Sequence, residues 1–170
     1  LPGGWQVLTR ADIPMIANDT RGPDNSGGHW RLGLGDVLTQ AGLASPERYR
    51  FRYGAGLRVV WPTGTDQGMG TGKYQLGPMA GVTYSPSFLP AGSFFEFEWR
   101  EQFSAGGDKS RADIHRSVIK PGASVNLPGK FFVTSAPEIE IDWVAGGKLF
   151  LPVNLQSGRQ FGDRVIVSAE

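Results

Sequence analysis

The feature that most constrains this chain is the unbroken alternation across residues 48–61. Tyr49, Phe51, Tyr53, Ala55, Leu57, Val59 and Trp61 fall on one face of an extended strand, and Arg48, Arg50, Arg52 and Arg58 fall on the other, because successive β side chains point to opposite sides. A soluble sandwich does not readily bury so many guanidinium groups, and a strand with that much exposed aromatic surface invites aggregation. Both faces are satisfied when the apolar one meets lipid and the charged one meets a wet, enclosed interior. The expected fold class is therefore all-β, an antiparallel transmembrane β-barrel.

Composition agrees. Hydrophobic residues make up 39% of the 170, with 25 glycines and 11% aromatics; a barrel tolerates modest hydropathy because only alternate residues need be apolar. No run approaches the roughly 18 consecutive apolar residues of a membrane-spanning helix. A formal net charge of +1 is not the basic field that nucleic-acid binding requires, so no nucleic-acid partner is expected. Cysteine is absent, which removes disulfides, thiol catalysis and thiolate metal sites.

Taken in order, the same period recurs. Residues 1–16 alternate around Trp5, Val7, Thr9, Ala11, Ile13 and Met15, and 17–29 form a polar loop. Residues 30–42 make a second, glycine-rich strand in which Asp36 breaks the alternation and marks a bulge. After a turn at 44–47 comes the third strand, a polar tip at 63–72, a fourth strand at 73–85 and a turn at 85–92. In the fifth strand Phe95, Phe97, Trp99 and Phe103 oppose Glu96, Glu98, Arg100 and Gln102, with Glu101 the one exception on the apolar side. A loop at 105–111 precedes the sixth strand, 112–127, which places Arg116, Lys120, Ser124 and Asn126 together. In the seventh, Val133, Ile139, Ile141 and Trp143 oppose Thr134, Glu138, Glu140 and Asp142. Leu149, Leu151, Val153 and Leu155 mark an eighth strand, and a ninth begins near Arg164. Long polar links follow strands one, three and five and short ones follow two, four and six, as in barrels with long extracellular loops and short periplasmic turns. The short AGGK turn after strand seven departs from this. The chain reads as one domain.

The segments GGWQVLTRADIPMI, LGLGD, WPTGTDQGMGTGKYQLGPMAGV, REQFSAGGDKSRADIHRSVIKPGASVNLP and LFLPVNLQSGRQFGDRVIVSAE span nearly the whole chain. They resemble the outer-membrane proteins of the putative meta-pathway of phenol degradation family, a group of presumed transporters. The resemblance implies a bacterial outer-membrane location and passage of small solutes, aromatic or hydrophobic compounds among them. It also implies that 1–170 is part of a larger barrel of about a dozen strands, lacking N-terminal strands and the final C-terminal strand, since nine is an odd number for a single-chain bacterial barrel. The resemblance brings no catalytic residues. Expected partners are membrane lipid and a small-molecule solute; the oligomeric state is open.

The expected lumen lining is Arg50, Arg52, Arg58, Glu96, Glu98, Arg100, Arg116, Lys120, Glu138, Glu140 and Asp142. A positive third strand would then face negative fifth and seventh strands, either as a permeation path with a transverse field or as a plug of interior ion pairs. Trp5, Trp30, Trp61, Trp99 and Trp143 fall near predicted strand ends, as an aromatic girdle does; a sugar- or hydrophobe-binding shelf is the other reading. The glycine-rich tip lacks the spacing and following helix of a phosphate loop, and Thr63, Asp66 and Thr71 are expected to order it by side-chain-to-backbone bonds. Asp66 with Asp24 or Asp108 is a weak oxygen set for Ca²⁺; no metal or cofactor is expected. His115 and Ser117, with Asp113 as acid, resemble the His-x-Ser site of outer-membrane lipid A deacylases. That supplies the alternative of a lipid-modifying hydrolase.

Overall fold

A computed structural model describes every residue except Leu1, Pro23, Asp24, Gln67, Asp163, Arg164 and Glu170. The strands are β1 (Gln6–Asp12), β2 (Met15–Asn18), β3 (Arg31–Leu34), β4 (Val37–Ala44), β5 (Phe51–Trp61), β6 (Lys73–Tyr84), β7 (Phe94–Gly107), β8 (His115–Leu127), β9 (Phe131–Ser135), β10 (Ile139–Asp142), β11 (Lys148–Phe150), β12 (Gln156–Phe161) and β13 (Val165–Ala169). Two short 3₁₀ turns, Pro2–Gly4 and Pro128–Lys130, complete the elements; the described residues contain no α-helix.

The main sheet runs β1-β4-β5-β6-β7-β8-β9-β12-β13, with β10 on β8 and β11 on β10. Every pairing among the described strands is antiparallel, and β1–β4, β8–β10 and β9–β12 join strands that are not consecutive in the chain. β2 and β3 form a separate two-stranded extension of the first hairpin. The nine expected strands are thus present as positions in the sheet, four of them interrupted. Pro14, which has no N–H for the ladder, separates β1 from β2, and Gly35 and Asp36 separate β3 from β4 at the expected irregularity. Residues 136–138, around Pro137, separate β9 from β10, and 151–155, around Pro152, separate β11 from β12. The sixth strand starts at His115 rather than 112, and β7 continues through Gly107, so the loop between them lies at 108–114. The expected beginning of the ninth strand at Arg164 lies outside the described residues.

The sheet is open. Among the described residues β1 pairs only with β4, and β13 only with β12. In an antiparallel path of nine strand positions the first and last run the same way, so closing these two upon each other would require a parallel pair. The sheet nevertheless curls strongly: Arg10 on β1 and Arg58 on β5 both lie within electrostatic range of Glu138, at the far side of the path. Glycines on the concave face permit this. A Cβ on Gly56 would stand 2.6 Å from the Ala41 carbonyl oxygen and 3.0 Å from the Gly42 Cα, so β4 and β5 approach as only bare backbone can.

The third strand begins at Phe51 rather than at Arg48. Arg48 and Phe51 close a two-residue turn in which Tyr49 (φ 50°) and Arg50 (φ 70°) are both left-handed. Two side chains carry that strain where a hairpin prefers Asn-Gly. Replacing Tyr49-Arg50 by Asn-Gly should stabilise the fold by about 1–2 kcal/mol, from relief of left-handed crowding; urea unfolding in detergent, followed by tryptophan emission, checks this through a raised midpoint at unchanged slope.

Candidate functional site

The two faces of the curled sheet differ completely. The register aligns Arg52 with Thr83 and Thr83 with Glu96, Glu98 with Lys120, Arg100 with Val118, Gln102 with Arg116 and Arg116 with Asp142. All belong to the concave face. The convex face presents Phe51, Tyr53, Leu57, Trp61, Tyr74, Phe95, Phe97 and Trp99, each exposed. Burial is inverted relative to a water-soluble domain. The buried apolar side chains among the described residues are Ala44, Val60, Met69 and Val118, whereas Lys73, Gln75, Ser93, Arg100 and Ser117 are also buried.

The concave charges meet in pairs. Arg100, only 6% exposed, reaches Glu98 at 3.5 Å and Glu138 at 3.4 Å, while its Nε has no partner. Arg116 lies 3.3 Å from Glu140 and 3.7 Å from Asp142, and Lys120 lies 3.4 Å from Glu96. Gly122 leaves room for that last pair, since a Cβ there would stand 2.5 Å from Glu96 Cγ. Arg10 pairs with Asp12 at 2.7 Å. Arg58 has no carboxylate partner among the described residues; its guanidinium donates twice to Gln40 Oε1, at 3.3 and 3.1 Å. Deeper in, Gln102 donates to Gln75 Oε1, and Gln75 donates to Thr71. The cations of this face are Arg10, Arg52, Arg58, Lys73, Arg100, Arg116, Lys120 and Lys148, the last opposite Asp142, and they face Asp12, Glu96, Glu98, Glu138, Glu140 and Asp142 together with Asp113, which pairs with Lys73. The face is charged throughout yet close to neutral.

Of the expected lining, Arg52, Arg58, Glu96, Glu98, Arg100, Arg116, Lys120, Glu138, Glu140 and Asp142 share this face. Arg50 does not, because its left-handed turn removes it from the strand. The expected opposition of whole strands is also modified: carboxylates on β7 and near β10 are met by cations of β7 and β8 before those of β5 can reach them. Beside Gln40, Arg52 and Glu98 lies a cavity of about 230 Å³, walled by Leu8, Gly42, Gly54, Met79 and Gly81.

One end of the concavity is roofed by the tip at 63–72. Asp36 accepts from the Gly64 N–H (3.0 Å), the Thr71 N–H (2.6 Å) and the Thr71 hydroxyl (2.7 Å). Thr63 Oγ1 donates to the Gly35 carbonyl and accepts from the Val37 N–H. Asp66 accepts from the Gly68 N–H and pairs with Arg31 at 2.9 Å. Thr63, Asp66 and Thr71 therefore order the tip as expected, and Asp36 is the addition that sequence missed. The Ca²⁺ set does not assemble from the described residues. Asp66 is engaged by Arg31, while Asp108 is held below the usual carboxylate range by hydrogen bonds from the Ser110 N–H and hydroxyl. Asp24 lies outside the described residues.

The tryptophans divide. Trp61, edge-on to Tyr74 at 6.2 Å, and Trp143, just past β10, mark one end of the convex face, with Trp30 beyond them; Trp5 precedes β1 at the other end, where Phe51 stacks on Tyr84 at 4.6 Å. Trp99 is not at a strand end. Its register neighbours are Ala80 and Ile119 in mid-strand.

His115 and Ser117 lie on the convex face, and Asp113 is not their acid, since it pairs with Lys73 at 2.8 Å. Glu101 contacts both instead, one oxygen 2.8 Å from His115 Nε2 and the other accepting from Ser117 Oγ at 2.7 Å, while the Trp143 indole N–H donates to Ser117 Oγ at 2.8 Å. No family model, curated protein or solved structure matches this chain.

Asp36→Ala should cost about 2 kcal/mol, in keeping with hydrogen bonds to a charged acceptor. It should also remove hydrogen-exchange protection at the Gly64 and Thr71 amides while leaving β7 and β8 protected.

Proposed function

We propose that the chain forms part of an outer-membrane β-barrel whose convex face meets lipid and whose concave face lines a passage for small solutes. The inverted burial carries this reading: charged and amide side chains are inside and aromatic ones outside, as bilayer insertion around a polar interior demands. Dimensions support it. From Phe51 to Trp61 the strand rises about 33 Å at about 3.3 Å per residue. A tilt of about 40° converts that to the roughly 25 Å apolar band of outer-membrane barrels. The two ends of that span carry the aromatic pairs Phe51–Tyr84 and Trp61–Tyr74. Unpaired sheet edges do not persist in hydrocarbon, so further strands complete the ring.

The solute class follows from the resemblance to presumed transporters: small compounds, aromatic and hydrophobic ones included. The cavity beside Arg52 and Glu98, with Leu8 and Met79 in its wall, suits a molecule with an apolar body and a polar edge. A plugged structural barrel is the competing reading, favoured by the ion pairs of Arg100 and Arg116.

Planar-bilayer recording of the full-length protein separates the two: discrete conductance steps are expected, and their absence supports the plug. Because the concave charges nearly balance, the open channel should show weak ion selectivity. Changing Arg52 and Arg58 together to glutamine leaves the carboxylates in excess, and at a Debye length of about 8 Å their field still reaches into a narrow lumen. The reversal potential in a salt gradient should move toward the cation equilibrium value. An unchanged potential means that β5 does not line the path.

A further inference from the structure

Glu101 is the one carboxylate among the described residues on the convex face of β5 to β10, where its strand neighbours are Trp99 and Phe103. It lies within the apolar band, between the Phe51–Tyr84 and Trp61–Tyr74 pairs, and its side chain is 18% exposed. An ionised group at such a depth is costly and calls for a partner. An ionised carboxylate offers about four acceptor positions; His115 Nε2 and Ser117 Oγ occupy two. Ser117, itself buried, is fixed by the Trp143 indole N–H and cannot turn outward to do more. The rest of the acceptor capacity points to a surface where water is scarce and where Ile119, Ile139 and Ile141 continue the apolar wall.

We propose that Glu101, framed by His115 and Trp143, binds the headgroup of a single membrane lipid that carries hydrogen-bond donors, either the primary ammonium of an ethanolamine lipid or the hydroxyls of a glycolipid. Carboxylate charge selects against a bare phosphate and favours N–H and O–H donors. The half-exposed Trp143 and His115 rings, with centroids 6.4 Å apart and planes tilted by 44°, form an open aromatic wall beside the acceptor. The acyl chains then lie along Trp99, Ile119 and Ile139. A lipid is the occupant because the acceptor faces away from the concave passage, on the apolar face beside Trp143 and His115 at its loop-side rim, the level at which lipid headgroups lie. The inference rests on the lipid-facing reading of the convex face, and its test keeps the two apart.

The test uses the full-length protein with Trp143 or Trp99 as its sole tryptophan, the others being phenylalanine, in phosphatidylcholine vesicles doped with lipids brominated on the acyl chains. Brominated phosphatidylcholine should quench Trp99, which reports lipid contact of the convex face alone. At Trp143, brominated phosphatidylethanolamine or brominated monoglucosyl diacylglycerol should reach half-maximal quenching at a mole fraction about tenfold lower than brominated phosphatidylcholine, the factor one charge-assisted hydrogen bond provides. Preference for either donor lipid supports the site and names the donor; Glu101→Gln should abolish it while Trp99 quenching persists. Equal curves for all three lipids at Trp143, with Trp99 quenched, overturn the lipid site and leave the membrane reading standing. No quenching at Trp99 overturns the membrane reading itself.

Discussion

Charge matching on the concave face is the condition on which the rest of this structure depends. A sheet can curl around guanidinium and carboxylate groups only if each buried one finds a partner, because an unpaired buried charge costs several kcal/mol. The register brings the partners within reach: Arg116 lies opposite Asp142 and contacts it at 3.7 Å, while Lys120, opposite Glu98, reaches diagonally to Glu96 at 3.4 Å. Arg100 then reaches past its own strand to Glu138 at 3.4 Å. That contact depends on the interruption at 136–138, which sets Glu138 free of the ladder between β9 and β10. The break that looks like a defect in the sheet therefore places a carboxylate that Arg100 uses.

The same near-balance of charge shapes what a passage here can do. Isolated rings of one sign make strongly selective pores, whereas paired charges of both signs make a polar wall with local dipoles. Arg58 is the point of departure, held by the Gln40 amide rather than by a carboxylate. The Asp36-anchored tip and the contact from Arg111 to the Gly70 carbonyl narrow one end of the concavity. On the proposed path, a solute entering there would meet Thr71, Gln75 and Gln102 before the charged belt.

Much of this was legible in the alternation. Inward and outward positions of β5 to β8 follow directly from period two, and so does the membership of the concave face apart from Arg50. That residue keeps the alternation in sequence, and only the paired left-handed φ values at Tyr49 and Arg50 take it off the strand. Trp99 reads as a strand-end tryptophan until the register sets it beside Ala80 and Ile119. The partner of His115 and Ser117 was visible as an anomaly, Glu101 standing on an apolar face, yet its role needed the pairing that sets Glu101 opposite Ser117 across β7 and β8. Asp36 announced itself as a break in pattern without revealing that the break anchors a loop distant in sequence.

The central claim is that one face of this sheet is bathed in lipid and the other in water. It is tested most directly by spin labels placed singly along β7 from Phe95 to Gln102 in the reconstituted full-length protein, with accessibility measured to oxygen and to a water-soluble nickel complex. The account predicts a period of two, with Phe95, Phe97 and Trp99 accessible to oxygen and Glu96, Glu98 and Arg100 shielded from it. Equal, water-like accessibility at Phe97 and Glu98 would contradict it and would favour a soluble barrel.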